Sequence, residues 1–83
     1  IHPRDARLRA LQAKTYAALG ERLAQHQAQA EAYVLQGSLP AAIEQLQLAR
    51  ASGGGDFYQL SVLDARLKEV RALHAQSLRE QKP

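Results

Sequence analysis

Apolar residues return along this chain every three or four positions, and the pattern breaks only at a few glycines and prolines. That period fits the 3.6-residue turn of an α-helix, where such positions share one face, and not the two-residue period of a strand. The breaks leave four helical segments. The first is predicted over about residues 4–19, where Leu8, Leu11, Tyr16 and Leu19 recur at helical spacing. Pro3 suits its entry, because its fixed φ is already helical and its missing N–H costs little in a first turn. Gly20 then offers a C-terminal cap or a kink.

The second segment, about 21–36, has a sparse apolar face of Leu23, Ala30, Tyr33 and Val34 among many Ala and Gln, and ends at Gly37. Alanines admit a close neighbour but bury little area each, so this helix needs partners on both sides. The third, about 39–52, opens at Ser38 as N-cap with Pro40 in its first turn. Leu39, Ala42, Ile43, Leu46 and Ala49 form its inward stripe, and Ser52-Gly53-Gly54-Gly55 stops it. The fourth, about 56–78, starts on Asp56 with Gln59 three residues later, a capping-box pattern. Phe57, Leu60, Leu63, Leu67, Val70 and His74 follow it. Val62, Leu73 and Leu78 fall partly off that stripe, so this last helix is expected to pack on an attached domain or on a second copy of the chain.

A repeat runs through these helices. Tyr16-Ala17-Ala18-Leu19-Gly20 is echoed by Tyr33-Val34-Leu35-Gln36-Gly37, and each Tyr has a small residue three positions before it, Ala13 and Ala30. The 17-residue offset is half the roughly 34-residue period of tetratricopeptide repeats. After Gly37 come Ala42, Leu46 and Ala49, at the spacing that this repeat uses to bring two antiparallel helices together. The chain therefore resembles a tetratricopeptide array. The expected fold is all-α: four helices in antiparallel hairpins, stacked as a right-handed superhelix, in a single helical-repeat domain spanning 1–83. The full repeat is placed at about 23–56, with flanking helices at 4–20 and 56–80. His26 stands where a large aromatic is commonest in that repeat, and Gly54 where a closing proline is commonest.

A narrower resemblance rests on Tyr16-Ala17-Ala18-Leu19-Gly20, Ala30-Glu31-Ala32-Tyr33 with Gly37, Ala41-Ala42-Ile43-Glu44-Gln45-Leu46, and above all Leu63-Asp64-Ala65-Arg66-Leu67-Lys68-Glu69-Val70-Arg71. These stretches resemble the C-terminal repeat region of the BepA-like periplasmic zinc metalloproteases that assist outer-membrane β-barrel assembly. The resemblance implies a periplasmic parent with a zinc protease domain ahead of the repeats. It implies as partners that protease domain, the barrel-assembly machinery or substrate proteins. The zinc in such a parent belongs to the other domain, so no cofactor is expected in this chain. The opening Ile1-His2-Pro3 lacks a methionine, and the chain is expected to be a piece of a longer protein.

Composition narrows the function further. At 83 residues without cysteine, the chain has neither a disulfide framework nor a thiolate metal site to supplement a modest core. The net charge of +3 is mild and acids are interspersed with the cations. Asp5 with Arg9, and Asp64 with Lys68, sit at the i,i+4 spacing of solvated pairs. A dedicated nucleic-acid binder would carry a denser basic stripe. No apolar run reaches membrane-spanning length. His2, His26 and His74 are scattered and none is followed by Glu, so the two-histidine zinc helix of a metalloprotease is not formed here. Gly53-Gly54-Gly55 lacks the Lys-Ser/Thr of a phosphate-binding loop. Glu31, Glu44 and Glu69 show no pairing suited to acid–base work, and no serine has a base nearby.

No catalytic or metal-binding residue is therefore predicted, and the expected role is protein binding or scaffolding. First helices of stacked hairpins line a concave face. That places Arg7 and Lys14 on the first helix, and Gln27, Glu31, Val34 and Leu35 on the second, as the candidate partner-binding groove. Ala13, Tyr16, Gly20, Ala30, Tyr33, Gly37, Ala42, Leu46 and Ala49 are the expected structural positions. A stand-alone tetratricopeptide adaptor in secretion or signalling is the alternative to the protease-linked module, and a basic helical nucleic-acid binder is a third reading.

Overall fold

A computed structural model describes residues 3–81, and over them the chain is four α-helices: α1 (Pro3–Ala18), α2 (Arg22–Leu35), α3 (Leu39–Ala51) and α4 (Phe57–Glu80). No strand occurs among the described residues. The glycine and proline breaks place every boundary to within two residues of the sequence expectation. His2, one of the three scattered histidines, lies outside the described residues.

The Tyr-x-x-x-Gly echo has a local cause. At the end of α1 the Glu21 amide donates to the Tyr16 carbonyl at 2.9 Å and the Gly20 amide to Ala17 at 3.1 Å. At the end of α2 the Ser38 amide donates to Tyr33 at 2.9 Å and the Gly37 amide to Val34 at 3.0 Å. Both are Schellman motifs, which satisfy the last helical carbonyls and need a left-handed residue one step past the cap. Gly20 (φ 74°) and Gly37 (φ 78°) supply it. Four residues from Tyr to Gly is thus the length of a capped last turn, and it lets each helix fold back antiparallel on the one before.

Each helix packs on its neighbour in sequence, giving a stack of hairpins with Cα extents of 46 × 28 × 16 Å. One core joins α2, α3 and α4 through Leu23, Ala30, Ala42, Leu46, Ala49, Leu63 and Val70. Tyr33, Val34, Leu39, Ile43, Leu60 and Leu67 pack around it half-buried. The predicted structural alanines Ala30, Ala42 and Ala49 have no exposed surface, so helices approach through methyl groups with Leu46 filling the space between. At the position of the missing aromatic, His26 Nδ1 donates instead to Gln45 Oε1 at 2.8 Å and ties α2 to α3. Gly55 (φ 89°) brings the last connector against α2: a Cβ there would stand 2.6 Å from Leu23 Cδ1.

Helix α1 turns differently from expectation. Its buried residues are Ala6 and Ala13, while Leu8, Leu11 and Leu19 are exposed. On α2, Ala28 and Ala32 are buried yet lie roughly opposite Ala30 at 100° per residue. They sit outside the core shared with α3 and α4, so the α1–α2 seam is alanine against alanine. The leucine spacing was real, but the closer approach of alanine faces decided which side is inside.

Three smaller expectations change as well. Ser38 holds the N-cap position of α3 without a side-chain capping bond, whereas Asp56 and Gln59 form the full capping box at 2.8 and 2.9 Å. Phe57, one residue after that cap, points to solvent. Asp64 pairs across to Arg50 of α3 at 3.1 Å rather than along its own helix to Lys68.

A cleft between the first, second and fourth helices

Because α2 packs on α1 with one side and on α3 and α4 with the other, a strip of its surface stays uncovered. That strip is the floor of an open cleft of about 490 Å³. Ala24, Gln27, Ala28 and Glu31 line it from α2, Arg9, Gln12 and Tyr16 from α1, and Val62, Ala65, Arg66 and Glu69 from α4. The small residues on floor and wall keep it open. The Tyr16 ring and the Val62 side chain give it apolar edges.

Its strongest internal contact is a fork between neighbouring helices. Arg66 Nε and Nη2 donate to Glu31 Oε2 and Oε1, both at 2.8 Å. Such a bidentate guanidinium–carboxylate pair fixes orientation as well as distance. Glu69 adds a weaker approach to Arg66 Nη1 at 3.5 Å. The hydrogen bond that Arg66 donates to Glu31 raises its pKa above the ordinary value, partial burial opposes this, and the charges of Glu31 and Glu69 add to the rise. Arg66 is therefore a fixed cation, already matched by its partner. The remaining ligand-facing chemistry is mostly amide: Gln12 and Gln27 each carry donors and an acceptor. Arg9 bonds only to the Gln12 side-chain oxygen, at 3.3 Å, among the described residues.

The structure divides the predicted groove residues. Gln27 and Glu31 line the cleft. Val34 packs half-buried against the core. Leu35 borders a separate shallow depression with Asp5, Leu8, Arg9 and Gln12. Arg7 and Lys14 are exposed and do not line the cleft. The correction follows from the rotation of α1. With Ala6 and Ala13 inward, Arg9, Gln12 and Tyr16 take the cleft side, and Arg7 and Lys14 fall about 160° round the helix from them. Glu31, placed in the groove with no charged partner named, is half-buried and held in the fork.

Arg9, Gln12, Val62, Ala65, Arg66 and Glu69 were missed as cleft residues. One signal could have found part of this set. Glu31 and Arg66 are 35 residues apart, close to the roughly 34-residue period of the repeat expected from the sequence. Among the described residues, no group of three His, Cys, Asp or Glu side chains could hold a metal ion, and no helix is long and apolar enough to cross a membrane. Comparison with protein-family models, curated proteins and solved structures gives no match to this chain.

Proposed function

We propose that this chain is a non-catalytic protein-interaction module of the tetratricopeptide type, and that the cleft between α1, α2 and α4 receives an extended segment of a partner protein. The observation that carries the reading is the cleft itself: an open depression across three helices, lined by alanines and by the glutamines Gln12 and Gln27. An extended peptide has unpaired backbone N–H and C=O groups, and side-chain amides can satisfy both kinds. The burial of Ala30, Ala42, Leu46 and Ala49 at the repeat spacing supports the tetratricopeptide assignment.

The finer reading places the module behind a zinc protease domain in the periplasm, with the barrel-assembly machinery or substrate proteins as partners. It rests on the resemblance of residues 63–71, and the 24-residue length of α4 suits it, since that stretch lies within one uninterrupted helix. The coding sequence upstream decides between this and a stand-alone adaptor: a His-Glu-x-x-His helix there favours the protease. For the cleft, random peptides displayed on phage are selected against the chain and against an Ala65→Trp variant, whose indole fills the channel. Peptides that bind the parent and lose the variant support the reading. Peptides that bind both equally place recognition elsewhere.

A further inference from the structure

Helix α1 has a second face, and its leucines take no part in the cleft. Turned away from the alanine seam, Leu8, Leu11 and Leu19 keep 53%, 60% and 67% of their surface exposed. With Thr15 they follow one another at spacings of three and four, a stripe of the kind that a single packed helix covers. The Thr15 hydroxyl donates back to the Leu11 carbonyl at 3.1 Å, which occupies its donor. Leu8, Leu11, Gln12, Thr15 and Tyr16 line a mostly apolar open depression of about 350 Å³ on the surface of α1.

Charge singles out the same helix. Arg4, Arg7, Arg9 and Lys14 face one carboxylate, Asp5, within α1, while the rest of the chain holds seven cations and seven carboxylates. The entire net charge of +3 is thus concentrated on α1. None of its four cations forms an ion pair among the described residues.

We propose that this basic, leucine-striped face of α1 is a docking surface for an acidic amphipathic helix of a partner protein. The leucines match the apolar seam of such a helix, and its flanking Glu and Asp would meet Arg4, Arg7 and Lys14. A second copy fits poorly. Two α1 faces brought together would oppose their cations, and the exposed leucines of α4, Leu73 and Leu78, lie about 140° apart round their helix and form no matching stripe. A membrane surface fits less well too, because interfacial helices present a broad apolar face, and here the stripe is narrow and bounded at one end by Arg4. The proposal does not depend on the cleft, which adjoins this face at Gln12 and Tyr16 but contains none of its leucines.

The test uses the full 83-residue chain and a fluorescein-labelled synthetic helix with leucines at heptad spacing and glutamates at the flanks. A scrambled peptide of the same composition is the control. Anisotropy titrations are run at low and high salt on the parent, on Leu8→Gln/Leu11→Gln and on Arg7→Glu/Lys14→Glu. All four substituted positions are exposed, so circular dichroism should show intact folding. The expected result is binding of the ordered peptide only, weakened about tenfold or more by either double substitution and weakened by salt. Binding indifferent to Leu8→Gln/Leu11→Gln, or shared by the scrambled peptide, overturns the proposal. So does tighter association with phosphatidylglycerol vesicles than with the peptide, or sedimentation showing a dimer that the leucine substitutions abolish.

Discussion

The Glu31–Arg66 fork is the sharpest quantitative test of how α4 is held on α2. Its side chains are 24% and 27% exposed, between the fully solvated pair and the buried one. Exposed ion pairs contribute about 0.2–1 kcal/mol, and hydrogen bonds to charged groups about 1.5–3 kcal/mol. With two bonds in ideal fork geometry and a quarter of the surface still wet, the expected coupling is about 1–2 kcal/mol. Against a total stability of about 4–12 kcal/mol for a chain this size, the loss should be obvious. The assay is a double-mutant cycle of Glu31→Gln, Arg66→Gln and the pair, each unfolded in urea and followed by helical circular dichroism. With a slope of about 1 kcal/mol per molar, the coupling corresponds to about 1–2 M of midpoint shift. A coupling below about 0.3 kcal/mol, within the additivity of unrelated sites, would refute the view that this pair clamps the two helices.

Other outcomes follow from the same geometry. Because the folded-state pKa of Arg66 is raised, its stabilisation is complete below the unfolded value and lost only as pH rises through the raised one. The stability difference between the parent and Arg66→Gln should therefore stay constant from neutral to mildly alkaline pH, and a change across that range would contradict it. Gly37→Ala meets no atom within 4 Å and should cost about 1 kcal/mol for its left-handed backbone alone. Gly55→Ala adds a collision with Leu23 and should cost clearly more in the same urea titration. Leu46→Ala, fully buried, should lose about 2–5 kcal/mol, while Leu11→Ala at the exposed face should stay within about 0.5 kcal/mol of the parent. Asp56→Ala should lose about 1 kcal/mol with its capping box, and Ser38→Ala much less, since no side-chain bond is made there.

Local rules made most of the fold legible. Glycine position and the Asp56–Gln59 spacing act within one turn, so helix ends, both Schellman caps and the capping box follow from nearby residues. The α2–α3 contact was legible too, because Ala30, Ala42, Leu46 and Ala49 have no other reason to keep that spacing. The orientation of α1 was not. It carries two candidate faces, leucine and alanine, and which one turns inward depends on the alanines of α2, a tertiary matter that periodicity cannot rank. That single rotation moved Arg7 and Lys14 off the cleft and brought Arg9 and Gln12 onto it. The Glu31–Arg66 fork was missed because each residue, taken alone, suits a solvated helix face, and only their separation relates them.

The alanine seam between α1 and α2 also shapes how the molecule breathes. Methyl groups permit intimate contact but withdraw little apolar surface from water, so α1 is held by proximity more than by area. Its amide protons should exchange with solvent well before those of α3, whose Leu46 anchors the deepest layer. The helix that bears the surplus positive charge is then also expected to loosen before α3 does.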